Sequence, residues 1–234
     1  MKLSRVKIAL LLSVRIVLMV VLQGLTTLYF LSHADAFTKA GWYWAIQLTI
    51  INICYLVWMA LSLKKTGRSY GQLFHPFNRH NTVLFSKLLI PLLLLAVLPN
   101  LWLSWWFYQD LQVGATFLLG DVPWFFIIPH LAVFPVLQGV VELPFYFAFI
   151  MPHLQKHTKK RWIYLGIPVV MLSLQHAFMP LRFDALYLLY RSLMFAPFAL
   201  LVGWVLYKKP SLLIYLVILH SLMNASLFMM IFLP

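Results

Sequence analysis

The sequence predicts an all-α fold, a polytopic transmembrane helical bundle of about seven spans with its N-terminus in the cytoplasm. Apolar residues form 63% of the 234-residue chain and charged residues only 10%, with a mean hydropathy of +0.90. Such values exclude an ordinary water-soluble domain. The apolar residues also gather into runs of about 20, the helical length that crosses roughly 30 Å of hydrocarbon. Finally, the short connections between runs hold the basic residues on alternate sides, as membrane topology requires.

The runs lie at 8–31, 42–63, 82–107, 123–151, 162–178, 186–207 and 211–233. The first follows Lys2, Arg5 and Lys7; it is too long for a cleaved secretory signal and lacks a small-residue cleavage site. The second holds Cys54, the single cysteine, which excludes disulfide scaffolds and cysteine metal clusters and leaves packing as its expected role. Between the second and third runs, Lys64 to Asn81 is rich in turn residues and too short for a domain, so it reads as an interfacial loop. Two regions follow, a three-span part at 1–122 and a four-span core at 123–234 that carries the candidate site.

Charge placement gives the orientation. Lys2, Arg5 and Lys7, then Lys64, Lys65, Arg68 and Arg79, then Lys156, Lys159, Lys160 and Arg161, and lastly Lys208 and Lys209 fall on one side. The opposite connections carry the sparse, mixed set His33, Asp35, Lys39, Asp110, Asp121, Arg182 and Asp184. The richer side is expected to be cytoplasmic. In a soluble protein the net charge of +13 would suggest nucleic acid; in these loops it reads as an orientation signal, with the cell membrane as the location and no nucleic-acid partner. Three cations remain inside runs. Arg15 and Lys87 lie near cytoplasmic ends and are expected to snorkel, whereas Arg191 can pair with Asp184 or reach toward Glu142.

Polar groups inside the later runs are the strongest sign of function. The chain's single glutamate, Glu142, lies within Gln138-Gly139-Val140-Val141-Glu142-Leu143-Pro144. The fifth run ends Leu172-Ser173-Leu174-Gln175-His176, and the seventh carries His220-Ser221-Leu222-Met223-Asn224. At four-residue spacing His220 and Asn224 share one helix face. Rise per residue then gives depth. The 14 residues from Glu142 to Lys156 span about 21 Å, and the 15 from Arg161 to His176 about 22 Å. His220 and Asn224 follow Lys209 by 11 and 15 residues, or roughly 17 and 22 Å. All four reach one level of the bilayer. His130, 12 residues before Glu142, lies about 18 Å nearer the outer face, and His33, His75, His80, His153 and His157 fall in loops or at run ends.

A carboxylate, two imidazoles and an amide at one depth can form a hydrolytic site. A carboxylate with a histidine can hold and deprotonate water, while a second histidine with an amide can donate to an oxyanion. The same set, through His176, His220 and Glu142, also offers donors for a divalent metal such as zinc with an open position for water. The other readings are interhelical polar contacts, or a transporter relay through Glu142 and Arg191.

These three segments resemble the motifs of the CPBP (CAAX protease and bacteriocin-processing) intramembrane endopeptidases, also called the ABI family. The family's third motif, His-x-x-x-Asn or Asp, is matched by His220 and Asn224, and its second, Phe-x-x-x-His, by His176 with Leu172 in place of phenylalanine. Its first motif is a pair of glutamates with an arginine four residues after the second; here Val141 stands for the first glutamate, Glu142 for the second and Tyr146 for the arginine. Adjacent helical positions point about 100° apart, so Glu142 does not inherit the missing direction, although a kink at Pro144 can re-aim it. The resemblance covers roughly residues 123–230. It implies hydrolysis of a peptide bond in a membrane-associated protein or peptide, with Glu142 and His176 activating water and His220 and Asn224 stabilising the oxyanion. The alternative it implies is a catalytically impaired member acting in bacteriocin immunity or as a scaffold.

Overall fold

A computed structural model describes residues 3–118, 120, 123 and 132–232, with side chains through Ser226. Lys2, Asp121 and His130 lie outside the described residues. The described residues form an all-helical fold, in the order α1 (Arg5–Tyr29), α2 (Ala36–Trp42), α3 (Trp44–Lys64), α4 (Arg79–Tyr108), α5 (Val113–Leu118), α6 (Phe134–Leu143), α7 (Met151–Gln155), α8 (Arg161–Gln175), α9 (Ala185–Met194), α10 (Ala196–Lys208) and α11 (Leu213–Phe232). A 3₁₀ turn spans Tyr70–Leu73 and a wide π-helical stretch, Pro144–Ile150, joins α6 to α7. Helix starts follow local capping chemistry. Ser4 Oγ accepts from the Lys7 N–H at 3.3 Å, Asn78 Oδ1 from Asn81 at 2.9 Å and Asp184 Oδ1 from Tyr187 at 3.0 Å. Each satisfies one of the unpaired donors of a first turn.

Five segments are long and apolar enough to cross a membrane: α1, α3, α4, the continuous Phe134–Gln155 and the α9–α10 pair Ala185–Lys208. They mark the chain as a membrane protein. Their roles differ, because 78% of the Phe134–Gln155 window is buried against only 11% of α4. The former is therefore the central element, packed against α11 and α3, and α4 is peripheral, turning Ile90, Val97, Trp102 and Trp106 outward. Apolar side chains facing outward are what lipid requires.

Gly139 sets the closest helix contact. A Cβ there would stand 2.0 Å from Ser221 Oγ and 2.8 Å from the Val217 carbonyl oxygen. Only hydrogen fits, so α6 and α11 approach backbone to backbone, the use that small residues have between membrane helices. Five residues on, Pro144 removes an N–H and strips Val140 of its helical partner. The Tyr70 hydroxyl, from the connection after α3, donates to that Val140 oxygen. Burial pushes the Tyr70 phenol above its ordinary value, which keeps it a donor.

Helix α8 ends after 15 residues, about 22 Å of helix and short of the roughly 30 Å hydrocarbon thickness. Residues 176–184 then run without helix, and several of them, including Ala177, Met179 and Leu181, are buried. Such backbone survives among apolar neighbours only when its polar groups are bonded. Arg191 supplies Nε to the His176 oxygen at 3.2 Å and Nη2 to the Met179 oxygen at 2.7 Å. Tyr187 donates to the Pro180 oxygen at 2.6 Å, while the Gln23 amide clasps Leu181 from both sides, donating to its oxygen at 2.9 Å and accepting from its N–H at 2.8 Å. The expectation for Arg191 is thereby corrected. Its partners are neither Asp184 nor Glu142 but the free carbonyls after α8, which a cation satisfies well at a helix C-terminus.

Candidate active site

Glu142 sits on α6 one helical turn beyond Gln138, on the same face, and is fully buried. Its Oε1 accepts from the side-chain amides of Gln138 and of Gln175, the latter from the end of α8. The Arg15 Nη2 lies 3.9 Å from the same oxygen. Around this carboxylate the polar groups close a ring. Arg15 donates to Gln175 Oε1 at 2.8 Å and to Asn52 Oδ1 at 2.9 Å, and Asn52 donates to Gln138 Oε1 at 2.7 Å. Tyr146 adds its hydroxyl to Gln175 Oε1 at 2.8 Å, and the Arg15 guanidinium lies 5.2 Å from the centre of the Tyr55 ring. Helices α1, α3, α6 and α8 are joined around one buried pair of opposite charges.

Arg15 corrects a second expectation. It is 0% exposed and does not snorkel. The reason is that α1 faces the only glutamate, and a carboxylate with two amides offers the guanidinium better partners than a stretched path to the interface. Lys87, by contrast, is exposed.

The other face of the carboxylate belongs to α11. His220 Nε2 is 2.8 Å from Glu142 Oε2, in contact although not aligned as a linear hydrogen bond. His220 Nδ1 is buried and has no partner among the described residues. Because a carboxylate accepts, Nε2 carries a proton, which leaves Nδ1 as the ring's open position. His176 is arranged the opposite way. It caps α8, donates from Nδ1 to the Leu172 carbonyl at 2.7 Å, and rests on Phe195 with ring centres 4.1 Å apart. A carbonyl cannot donate, so its Nε2 is the free acceptor. Ser173, three residues before His176, has a buried hydroxyl without a partner among the described residues.

Of the four residues expected at one level, then, Glu142 and His220 touch, and His176 stands at the end of α8 next to Gln175, whose amide donates to Glu142. Asn224 lies one turn beyond His220 and donates to the His220 backbone oxygen at 2.8 Å; it does not reach the carboxylate. Sequence reasoning missed Arg15, Asn52, Gln138, Gln175 and Tyr146 as participants. Gln138 carried a signal, its four-residue spacing from Glu142. The site also draws on α1 and α3, so it is not confined to residues 123–234. Other described histidines act locally: His33 contacts Lys39 Nζ at 2.9 Å, His153 bonds the Phe149 oxygen at 2.6 Å and His157 bonds the Leu3 oxygen.

A divalent metal does not fit this donor set. Among the described residues no three His, Cys, Asp or Glu side chains are grouped to hold one. Glu142 Oε1 is filled by two amide donors with a guanidinium nearby, an environment built for an anion whose charge is already balanced. Comparison with family models, with curated proteins and with solved structures finds no match to this chain.

Proposed function

We propose that the chain is an intramembrane endopeptidase of the CPBP type, hydrolysing a peptide bond of a membrane-associated protein or peptide. The observation that carries this reading is the 2.8 Å contact between Glu142 and His220 beside a second histidine, inside a helical bundle where buried ionisable groups are costly. Topologically, α8 and α11 complete seven spans with the N-terminus in the cytoplasm, and the protein resides in the cell membrane. In this arrangement Glu142 orients His220 and balances its charge, the part a carboxylate plays behind a histidine. His176, with Nε2 free, takes a proton from water as its oxygen attacks the scissile carbonyl. The proton passes to the departing amine, leaving a carboxylate product and balancing the reaction. With its charge balanced by Glu142, His220 donates to the oxyanion from a protonated Nδ1, and Asn224 donates beside it once a substrate opens the Asn224 bond to its own helix.

Incubating purified protein with membrane proteins, followed by mass spectrometry of new termini, tests the reading. Glu142→Gln and His176→Ala are each expected to lower cleavage by about 10²- to 10⁴-fold, with thermal unfolding measured in parallel to identify folding defects. Full cleavage by a folded His176→Ala variant would remove that residue from the mechanism.

One observation favours a second reading, a catalytically impaired relative acting as an immunity or scaffold protein. Glu142 is sealed from solvent, and Val141, at the place of the first motif glutamate, is 0% exposed within the apolar core. Val141→Glu separates the two. An impaired enzyme gains cleavage from the restored carboxylate, whereas a site rebuilt around Glu142 gains none and unfolds at lower temperature, because a second buried carboxylate has no cation.

A further inference from the structure

We infer that the groove between the end of α3 and Tyr70 binds the phosphate headgroup of an anionic phospholipid, and that Tyr70 transmits its occupancy to the helix carrying Glu142. A cavity of about 510 Å³ is lined by Ala60, Lys64, Gly67, Arg68, Ser69 and Tyr70. Gly67, with φ +74°, turns the chain back after α3; its N–H bonds the Lys64 oxygen at 3.0 Å and the Arg68 N–H bonds the Leu63 oxygen at 3.1 Å. This fixed turn places a guanidinium, an ammonium and a hydroxyl around one space. Lys64 and Arg68 are exposed and enter none of the ion pairs among the described residues. The sequence contains no acid between Asp35 and Asp110, so the counter-charge comes from outside this part of the chain.

Location selects lipid as its source. The groove opens at the end of a helix long and apolar enough to cross a membrane, at the level where headgroups lie. Val57 and Leu61 precede Lys64 on the same helical face and are 52% and 56% exposed, a track on which an acyl chain can lie while its phosphate reaches Lys64 and Arg68. Tyr70 closes the groove, and its hydroxyl is the donor to the carbonyl of Val140, two residues before Glu142. A headgroup that immobilises Tyr70 therefore steadies the helix at the point where Pro144 weakens it.

The binding claim stands apart from the catalytic reading, since it is measured without any substrate. Protein in a nonionic detergent is titrated with short-chain phosphatidylglycerol or with phosphatidylcholine of the same chain length, and bound lipid is read by native mass spectrometry. Phosphatidylglycerol is expected to bind preferentially, and Lys64→Gln with Arg68→Gln to weaken it by about 25-fold, near fivefold for each cation removed. Millimolar inorganic phosphate is expected not to displace it. Equal binding by the double variant, equal binding of the two lipids, or displacement by inorganic phosphate would overturn the lipid site. Phosphatidylglycerol is also expected to raise the unfolding temperature of the parent and to do so far less in Tyr70→Phe; an undiminished rise in that variant overturns the transmission through Tyr70.

Discussion

Arg15→Met is expected to destabilise the fold by about 3–5 kcal/mol, the cost of leaving a buried charge without its partner. Glu142 would keep its two amide donors but lose the guanidinium 3.9 Å away, and Gln175 and Asn52 would each lose a charged donor. Combining Arg15→Met with Glu142→Gln removes both charges and is expected to recover much of the loss, since a neutral pair of similar volume replaces the buried ions. Unfolding in detergent, followed for the parent, both single variants and the double, measures the coupling. If the double variant loses the sum of the two single effects, Arg15 and Glu142 act independently and charge compensation is not what holds α1 to the bundle.

Gly139→Ala is expected to force α6 and α11 apart. The added methyl would meet Ser221 Oγ at 2.0 Å and a fixed carbonyl at 2.8 Å. The side chain of Ser221 can rotate away, whereas the carbonyl moves only with α11, so the helices must separate. Overpacking of this kind costs about 1–3 kcal/mol, and His220 moves with α11 away from Glu142. Gly166→Ala is the matched control: nothing lies within 4 Å of a Cβ there, and the substitution gains helix propensity of about 0.5–1 kcal/mol. Unfolding temperatures of the two variants are therefore expected to shift in opposite directions. A Gly139→Ala protein as stable as its parent would show that α6 and α11 do not depend on this contact.

Hydropathy located the long elements well, because an apolar run of spanning length has few alternatives. The first run, expected at 8–31, is the helix Arg5–Tyr29, and the third, expected at 82–107, is Arg79–Tyr108. The short helices α2 and α5 were not read, since six or seven residues carry too little periodicity to be distinguished from loop. At the site, Glu142 and His220 were legible because each is a rare polar group in an apolar run. Their partners were less so. Arg15 looks like a cation near a span end, and only its contacts with Asn52 and Gln175 give it a different role; those depend on how helices far apart in sequence pack. Gln175 was hidden beside the more conspicuous His176. Asn224 shows the reverse: motif spacing put it on the face of His220, yet its amide is spent on the helix's own backbone.

The ring around Glu142 also sets the order in which the chain can be completed. Arg15 leaves the ribosome early, and its partner Gln175 follows 160 residues later, about 10 to 30 s at roughly 5–20 residues per second. Until then the cation of the first helix has only the neutral amide of Asn52, 37 residues on, to accept from it. Its final seating is therefore a late event in biogenesis, completed when the carboxylate and the amide from the second half arrive.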